Sequence, residues 1–393
     1  MHICFLYPGF PPETHAGGIG TYIFEITRLF SNTPIKISII SRSNNFFDEK
    51  VERLSLNTTL YRLGEEEKAK YNEIFLFNNY GFKNYYQRVL KKVKQINSEH
   101  SIDIIESCDW GAEGVLLLDD FYERLIVKCH TPSFISESYN PMNKPYLSDE
   151  IKIEEKKFIG NAKTVICPSN SLIQKISEFI SINGNIMIES YPIKITEIVQ
   201  KRDYAINKEI RLLTVGRIEQ RKGHDIIIQA MNQLQDVLNI TLDVFGADTP
   251  TKSGEYISSY FLKQLDKRLQ SKVTFHNEIH RNELIKKYAE FDIFVAASRF
   301  DNFPFTVLEA MSAGLPVIGS NNSGIKEQII DQNNGLLFDG TPSDLCKKIN
   351  TLFQNKILRE KIGRNGFKYM KNNFSLKSIK TSILSNYNSF LAQ

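Results

Sequence analysis

The chain has 393 residues, of which 41% are hydrophobic and 24% are charged, and its formal net charge is +4. This length exceeds one ordinary hydrophobic core and predicts two domains of roughly 150–200 residues each. The small net charge argues against nucleic acid as a partner, because a nucleic-acid-binding protein needs a strongly basic face.

The cysteines and the N-terminus predict a cytoplasmic protein. The cysteines are odd in number, form no metal-type pair and mostly lie in apolar runs, as expected of reduced, buried thiols. They are Cys4, Cys108, Cys129, Cys167 and Cys346. The first residues, Met1–Tyr7, lack the basic start and apolar core of a signal peptide, and no stretch is apolar enough to span a membrane.

Short apolar runs alternate with segments of helical period along the chain. The runs are rich in Ile, Val, Leu or Phe, as in strands buried on both faces of a parallel sheet. The predicted strands are His2–Tyr7, Ile35–Ser41, Ile102–Ser107, Leu125–His130, Thr164–Ser169, Arg211–Gly216, Thr241–Gly246, Val273–His276, Ile293–Ser298 and Pro316–Ser320. The predicted helices are Gly20–Phe30, Lys83–Ile96, Asp225–Leu234, Asn282–Glu290, Ser343–Phe353, Lys356–Asn372 and Leu376–Phe390.

A polar stretch, Thr196–Glu209, divides these elements into two α/β units of similar size. Strand–helix alternation indicates right-handed crossovers and parallel sheets. The expected fold is therefore two facing doubly wound, Rossmann-like domains with a helical C-terminal tail. Because ligands bind beyond the carboxyl ends of the strands in such sheets, we expect one ligand in the cleft between the domains.

The loop after the first strand contains Gly17 and Gly18 and ends at the start of a helix. Glycines let the backbone approach a ligand closely, and a helix N-terminus offers free N–H groups to an anion. The dinucleotide pattern G-x-G-x-x-G is absent, since Ile23 stands where the third glycine would follow Gly18 and Gly20. The loop alone is compatible with a phosphate site or with a simple turn.

A cationic loop opens the second half of the chain. Arg217 follows directly on a predicted strand, and Lys222 precedes the next helix. Two fixed cations here suit a diphosphate, and without a metal ion they could stabilise the charge that a departing nucleoside diphosphate gains in the transition state. The alternative is a pair of exposed cations in a surface loop.

The most specific pattern is an acidic loop followed by a helix. Asp301 is expected just beyond a strand end, and Glu309 in the first turns of the helix. A carboxylate can accept two hydroxyl hydrogens, which suits ribose or sugar diols. The amides of Phe305, Thr306 and Val307 would open the helix toward a phosphate. The alternative is an acidic loop beside an ordinary helix-capping glutamate.

Together these motifs resemble the retaining glycosyltransferases with the GT-B fold, specifically glycosyltransferase family 4. The resemblance covers nearly the whole chain. It rests on Gly17-Gly18, on Val215-Gly216-Arg217 with Lys222-Gly223, and on the block from Asp301 to Glu309-Ala310-Met311. It implies an acceptor-side domain at 1–195, a nucleotide-sugar donor domain at 196–376, and a C-terminal helix at 377–393 that packs back on the first domain.

The resemblance also implies roles for individual residues. Glu309 matches the residue that binds the donor ribose, and Arg217 and Lys222 match the pair that holds the diphosphate. Asp301 matches the acid near the hydroxyls of the donor sugar, and His130 is similar to the family's histidine near the reacting sugar. The amides of 305–307 would contact the donor.

The Gly17–Gly18 loop is similar to the family's loop that closes on phosphate and sugar. One position departs from the family pattern, which has Glu where this chain has Asp301 and Gly where it has Asn302. Because Asp is shorter by one methylene, its reach to the sugar changes. The departure leaves the donor sugar undetermined, and nucleobase recognition, expected around Asn277–His280, rests on backbone groups that a sequence does not distinguish.

The reaction that the resemblance implies is hexosyl transfer with retention at the anomeric carbon, by a same-face displacement that needs no metal or resident cofactor. The nucleotide sugar is a co-substrate, with a UDP-sugar favoured over a GDP-sugar. The acceptor would be a hydroxyl of a glycan, a lipid-linked glycan or a small molecule. His130 and Asp301 would position the sugar rather than act as nucleophile and base. Two rival functions are a non-catalytic partner subunit and a nucleotide-sugar epimerase.

The C-terminal region is basic, with ten Lys and Arg residues from Lys347 to Lys380 against Asp344 and Glu360. These charges either cover solvated helix faces or contact an anionic membrane that carries the acceptor. A second basic segment, Lys83–Lys94, allows the same two interpretations. The sequence thus predicts a cytoplasmic protein with a peripheral place on the inner face of the membrane as one option.

Overall fold

A computed structural model of the protein describes residues 1–13, 17–43, 49–64, 81–194, 203–205, 209–234 and 239–393. The chain forms two compact units. Unit 1 comprises Met1–Ile135, Pro145–Pro192 and Ile379–Gln393, and unit 2 comprises Ser136–Lys144 and Ile193–Ser378. Most of the predicted break at Thr196–Glu209, and residues 14–16 of the predicted glycine loop, lie outside the described residues.

The described residues form these strands: β1 (His2–Leu6), β2 (Lys36–Arg42), β3 (Lys50–Arg53), β4 (Thr58–Leu63), β5 (Ile104–Cys108), β6 (Leu125–Lys128), β7 (Thr164–Cys167), β8 (Asn185–Ile188), β9 (Ile210–Val215), β10 (Ile240–Phe245), β11 (Val273–His276), β12 (Ile293–Ala296), β13 (Val317–Ser320) and β14 (Leu336–Phe338). The helices are α1 (Gly17–Phe30), α2 (Gly81–Glu99), α3 (Leu117–Asp120), α4 (Ser133–Ser138), α5 (Asp149–Asn161), α6 (Asn170–Ser177), α7 (His224–Leu234), α8 (Ile257–Leu262), α9 (Arg281–Lys287), α10 (Phe305–Ser312), α11 (Ile325–Gln328), α12 (Pro342–Gln354), α13 (Lys356–Asn373) and α14 (Leu376–Leu391).

Each unit is built on its own sheet. In the described part of unit 1 the strand order is β3-β4-β2-β1-β5-β6-β7-β8, with every neighbouring pair parallel except β3 and β4. The unit 2 sheet has the order β11-β10-β9-β12-β13-β14 and is parallel throughout. The predicted fold class, two doubly wound Rossmann-like units with a helical C-terminal region, is confirmed.

The predicted strands are all present, but four further strands were not predicted. β3 and β8 lie at the edges of their sheet and are largely exposed, so they carry no continuous apolar run. β3 also pairs antiparallel with β4, which departs from the all-parallel expectation. β4 alternates buried and half-buried positions, and β14 has three residues. A continuous apolar run of about four to eight residues marks a strand that is buried on both faces. Such a run is absent from the exposed edge strands β3 and β8, from the alternating strand β4 and from the three-residue β14.

The core of unit 2 illustrates why the buried strands were recognisable. β9 and β12 place Leu212, Ile293 and Val295 in a fully buried cluster with α7, which contributes Ile227 and Met231. Burial on both faces of the sheet requires apolar residues at successive positions, and helices complete the second layer. All five cysteine thiols are likewise buried and unpaired. Among the described residues no helix is long and apolar enough to cross a membrane.

The C-terminal part of α14, from Ile379 onward, packs within unit 1. Its Tyr387 hydroxyl donates to Oε2 of Glu106 on β5 at 2.7 Å, and Oε1 of Glu106 accepts from Tyr7 at 2.7 Å and from Tyr22 at 3.1 Å. All four side chains are fully buried, and burial raises the pKa of Glu106. A buried carboxyl group needs such donors, so Tyr387 ties the C-terminal helix to the sheet.

We expect Tyr387→Phe to lower the free energy of unfolding by about 1–3 kcal/mol, because it removes one donor from a buried carboxyl group without changing the ring. Urea unfolding followed by circular dichroism measures the change. Tyr369→Phe, at a half-buried position of α13, is the matched control and should stay within about 0.5 kcal/mol of the parent. Equal effects of the two variants would contradict this account of α14.

Candidate functional site

The predicted site residues of unit 2 follow two neighbouring strands of its sheet, where the strand order reverses. The strand order reverses at β9, which has β10 on one side and β12 on the other. Loops that leave the carboxyl ends of two such strands diverge and open a crevice, which is where ligands bind in doubly wound sheets. Arg217 and Lys222 follow β9, and Asp301 follows β12. The fold therefore brings together residues that stand about eighty positions apart.

Glycines shape the loop after β9. Gly223 ends a short 3₁₀ turn, Gln220–Lys222, in a left-handed conformation, and a Cβ atom there would lie 2.0 Å from the carbonyl oxygen of Ala297. Only glycine fits this close approach to the end of β12. At Gly216 a Cβ would lie 3.4 Å from Cε of Lys222, so the lysine side chain passes directly over this glycine. The loop thus fixes where the Lys222 ammonium group lies.

Lys222 and Asp301 form an ion pair, with Nζ 2.5 Å from Oδ2. The two side chains are largely buried, at 17% and 8% exposure. Burial lowers the pKa of Lys222, and the negative charge of Asp301 opposes that effect. Backbone contacts also hold Asp301 in place. Its N–H donates to Ser323 Oγ at 2.9 Å, and its carbonyl accepts from the Gly324 N–H at 2.8 Å.

Arg217 lies in the same loop as Lys222, and its side chain is more exposed than that of Lys222 or Asp301. Its side chain is 35% exposed, and its Nε is 3.7 Å from Oε2 of Glu219. Glu219 is fully buried and forms a closer pair with Arg221, whose Nη2 lies 2.5 Å from Oε1. The loop therefore combines two largely buried cations, Arg221 paired with Glu219 and Lys222 paired with Asp301, with the more exposed Arg217.

α10 begins at Phe305, as the sequence predicts, so the amides of Phe305, Thr306 and Val307 lie in its first turn. Glu309, in the second turn, is buried. Its Oε1 accepts from Nε of Arg281 at 2.7 Å, and its Oε2 accepts from the Tyr288 hydroxyl at 3.2 Å. These two contacts orient the carboxylate, and its remaining lone pairs can still accept hydroxyl hydrogens.

Sequence reasoning did not identify Arg281 and Tyr288. Arg281 begins α9, 28 residues before Glu309, and Tyr288 follows α9, 21 residues before Glu309. No local motif joins α9 to α10. Only the folded structure brings these two side chains to Glu309. An arginine at the start of a helix is unfavourable to the helix dipole, and this was the one available signal that its side chain has a partner elsewhere.

In unit 1 the predicted residues also follow strand ends. Gly17 and Gly18 are exposed at the start of α1, and Gly17 has a φ of +54°. His130 lies two residues beyond β6 and is only 4% exposed. Its Nδ1 is 2.7 Å from the Tyr191 hydroxyl, and the two rings stack at 5.3 Å. Burial, with a smaller effect of Lys128, holds the pKa of His130 well below its usual range, so the ring is neutral. Its contact with a sugar stays a prediction.

Asp109 is a further residue that the sequence analysis missed. It follows β5, next to the strand-order reversal at β1, and its Oδ1 accepts from the backbone N–H of His130 at 3.0 Å. It is fully buried, and burial raises its pKa to about 7. Its Oδ2 has no hydrogen-bond partner among the described residues. A buried carboxyl group beside His130 at a strand end is a candidate functional group.

The described residues contain no group of three or more His, Cys, Asp or Glu side chains arranged to hold a metal ion.

Known proteins resemble this chain most clearly over unit 2. The sequence profile of the family described as glycosyl transferases group 1 matches residues 194–369, nearly the whole continuous part of that unit. The capsular polysaccharide biosynthesis glycosyltransferase CapM of Staphylococcus aureus is 28% identical over 217 residues, 55% of each chain. The D-inositol 3-phosphate glycosyltransferase of Corynebacterium glutamicum is 21% identical over 97% of this chain and 94% of that protein. The chain thus spans about half of the first relative and nearly all of the second.

Solved structures share the fold over the full length. Sucrose-phosphate synthase from Thermosynechococcus elongatus superposes with a TM-score of 0.79 at 18% identity, covering 100% of this chain and 99% of that one. Anabaena Alr3699/HepE in complex with UDP-glucose superposes with a TM-score of 0.71 at 16% identity, covering 99% and 100%. At these identities the likeness establishes the two-unit GT-B architecture.

We expect Asp109→Asn to remove part of the pH dependence of stability. The native carboxyl group keeps its proton up to about pH 7, whereas the unfolded group loses it near pH 4, so stability falls as pH rises between these values. The slope from this one group is about 1.4 kcal/mol per pH unit. Glu155, with its pKa raised to about 8, contributes in the same direction and remains in the variant.

Urea unfolding at pH 5, 6 and 7 measures the difference between parent and variant. The free energy of unfolding of the variant should increase steadily relative to that of the parent as pH rises. A constant difference across this range would show that Asp109 is ionised in the native protein.

Proposed function

We propose that the chain is a retaining, metal-independent hexosyltransferase that moves a sugar from a nucleoside-diphosphate sugar to an acceptor hydroxyl. The observation that carries this proposal is the Lys222–Asp301 pair at the strand-order reversal of unit 2, with the first turn of α10 and Glu309 on the same helix. This arrangement offers cations for a diphosphate, and carboxylates for the hydroxyls on either side of it.

The cations account for diphosphate binding. Lys222 is paired with Asp301 alone in the ion pairs of the described residues, and a diphosphate carries more negative charge than one carboxylate. Lys222 can therefore turn from Asp301 toward the ligand, while the more exposed Arg217 closes on it from the same loop. Negative charge grows on the diphosphate as the glycosidic bond breaks, so both cations stabilise the transition state more than the ground state.

The carboxylates account for the sugars. Glu309 is oriented by Arg281 and Tyr288 and binds the ribose hydroxyls through its remaining lone pairs. Asp301, once Lys222 turns away, accepts from hydroxyls of the donor sugar. His130 and the Gly17–Gly18 loop contribute from unit 1 as further donor-binding groups. His130 is neutral and can therefore donate one hydrogen bond without adding charge.

The reaction is a same-face displacement. The bond between the anomeric carbon and the diphosphate oxygen breaks, and the acceptor oxygen forms its bond to the same face of that carbon. The acceptor proton passes to the departing phosphate oxygen. The products are a glycoside with retained configuration and a nucleoside diphosphate, and no enzyme nucleophile takes part.

Names of similar proteins support the substrate classes. Two structural neighbours are complexes with UDP-glucose and with ADP and acarbose, and CapM is named for capsular polysaccharide biosynthesis. We favour a UDP-sugar over a GDP-sugar as donor, and a glycan or lipid-linked glycan as acceptor.

Thermal-shift screening with UDP, GDP, ADP and their sugars tests the donor site. A ligand at a hundred times its Kd stabilises the folded protein by about 2.7 kcal/mol. Glu309→Gln should weaken binding of the best ligand about tenfold, because the ribose loses an ionised acceptor. Glu283→Gln, an exposed carboxylate on α9, is the control and should bind as the parent does.

Each rival function predicts a different result. Slow release of free sugar from the bound donor supports an active transferase and excludes a non-catalytic partner subunit. Isomerisation of the donor without an acceptor would establish an epimerase instead. Failure of every nucleotide to stabilise the protein would overturn the proposed function.

We also propose that α13 contacts an anionic membrane. Lys361, Arg364, Lys368 and Lys371 are all exposed, and their spacing places them along one face of the helix. The second candidate segment fits less well. On α2, Lys92 is buried against Glu49 at 2.5 Å, and Lys94 pairs with Asp120 at 2.8 Å.

Flotation with vesicles containing phosphatidylglycerol tests this contact. Each Lys or Arg near the surface contributes about 1 kcal/mol, so the double variant K361E/K368E should bind at least tenfold more weakly. The control K83E/K91E reverses two exposed charges on α2 and should leave binding unchanged. Absence of binding by the parent protein at low salt would end this proposal.

A further inference from the structure

Unit 2 contains a short segment from the first half of the chain. The backbone leaves unit 1 after Ile135 and re-enters it at Pro145, and the residues between, Ser136–Lys144, pack with unit 2. We call this segment the insert. Nothing in the sequence marked it, because it follows His130 closely and is separated from the rest of its unit by Pro145–Pro192, which belongs to unit 1.

The insert contacts the cationic loop through Asn140. The Asn140 side chain is buried, and its Oδ1 accepts from the backbone N–H of Arg221 at 2.8 Å. Arg221 lies inside the 3₁₀ turn Gln220–Lys222, whose first N–H groups have no partner within the turn. Asn140 therefore caps this turn from 81 positions away in the sequence.

The capped residue also holds the loop that carries Asp301. Nη1 of Arg221 donates to the carbonyl of Phe300 at 3.0 Å. The backbone carbonyl of Arg221 accepts from the N–H of Arg299 at 2.8 Å. Tyr139 of the insert stacks on the Phe300 ring at 5.3 Å with an interplanar angle of 14°. The insert thus contacts both loops one residue before each member of the Lys222–Asp301 pair.

The other end of the insert has a different set of contacts. Asn143 Nδ2 donates to Thr249 Oγ1 at 2.8 Å and to the carbonyl of Pro250 at 3.2 Å. The Met142 carbonyl accepts from Lys252 N–H at 2.8 Å. These bonds fasten the insert to the loop after β10. They reach the cationic loop indirectly, because the Thr249 hydroxyl donates to the carbonyl of Ile218 at 2.6 Å, whereas Asn140 binds Arg221 directly.

We propose that Asn140 is a positioning residue for the donor diphosphate, acting through the turn that carries Lys222. This inference rests on the proposed function, since it assumes that Lys222 binds the diphosphate. Asn140 itself holds the 3₁₀ turn in register, so that the ammonium group passes over Gly216 toward Asp301. A segment from the first half of the chain thereby sets the geometry of the donor site in unit 2.

Calorimetric titration of the full chain with nucleotide pairs tests this role. The probes are UDP with UMP, GDP with GMP, and ADP with AMP, using the pair that the parent binds best. Asn140→Ala should weaken diphosphate binding about fivefold and monophosphate binding less than twofold, because a displaced Lys222 mainly affects the second phosphate. Asn143→Ala is the matched control and should change neither affinity by more than about twofold.

A double-mutant cycle shows whether the effect passes through Lys222. In the Lys222→Met background, Asn140→Ala should cause no further loss of diphosphate affinity. Thermal unfolding of each variant shows that it is folded, and both insert variants should lose similar stability.

Four results separate the possibilities. Equal weakening of diphosphate and monophosphate by Asn140→Ala, or the same loss in the Lys222→Met background, would overturn the positioning role and leave the proposed function intact. Equal losses of diphosphate affinity in Asn140→Ala and Asn143→Ala would do the same. A parent protein that binds none of the diphosphates would overturn the proposed function, and the inference with it.

Discussion

The site in unit 2 depends on one ion pair, between Lys222 and Asp301. A lysine this buried is stable only with a negative charge beside it, and in this structure Asp301 supplies that charge at 2.5 Å. The backbone around the pair is fitted closely to it. Besides the approach of Gly223 to β12, a Cβ on Gly324 would lie 1.5 Å from the carbonyl oxygen of Asn302, so glycine is required there too. The positions of the two charges are thus set by loop geometry.

In unit 1, buried charged groups are stabilised by neutral hydrogen-bond donors as well as by opposite charges. Three tyrosines surround Glu106, while Lys128 pairs with Glu189 at 2.6 Å inside the same fully buried region. Asp109 and Glu155 keep raised pKa values and therefore hold protons near neutral pH. A doubly wound sheet usually covers its strands with apolar residues, so this concentration of polar groups beneath His130 is costly unless every group finds partners.

The fold could be predicted from the sequence because the buried parallel strands are continuous apolar runs. Residues that belong to a local motif could be placed too, such as Arg217 after β9 and the first turn of α10. The partners of those residues could not. Arg281, Tyr288 and Asn140 make contacts with segments 21 to 81 positions away, and a local pattern does not show which distant segment a side chain contacts. Edge strands such as β8 were not predicted either, because exposed strands carry no long continuous apolar run.

The exchange of segments between the units has a consequence for synthesis of the chain. Glu106 and Glu189 are made early, yet the groups that complete their hydrogen bonding, Tyr387 and Asn386, come from the last helix. A ribosome therefore produces nearly all of unit 2 before the first sheet acquires its final donors. During elongation the N-terminal part lacks these two donors, and its hydrogen bonding is completed only once the last helix has been made.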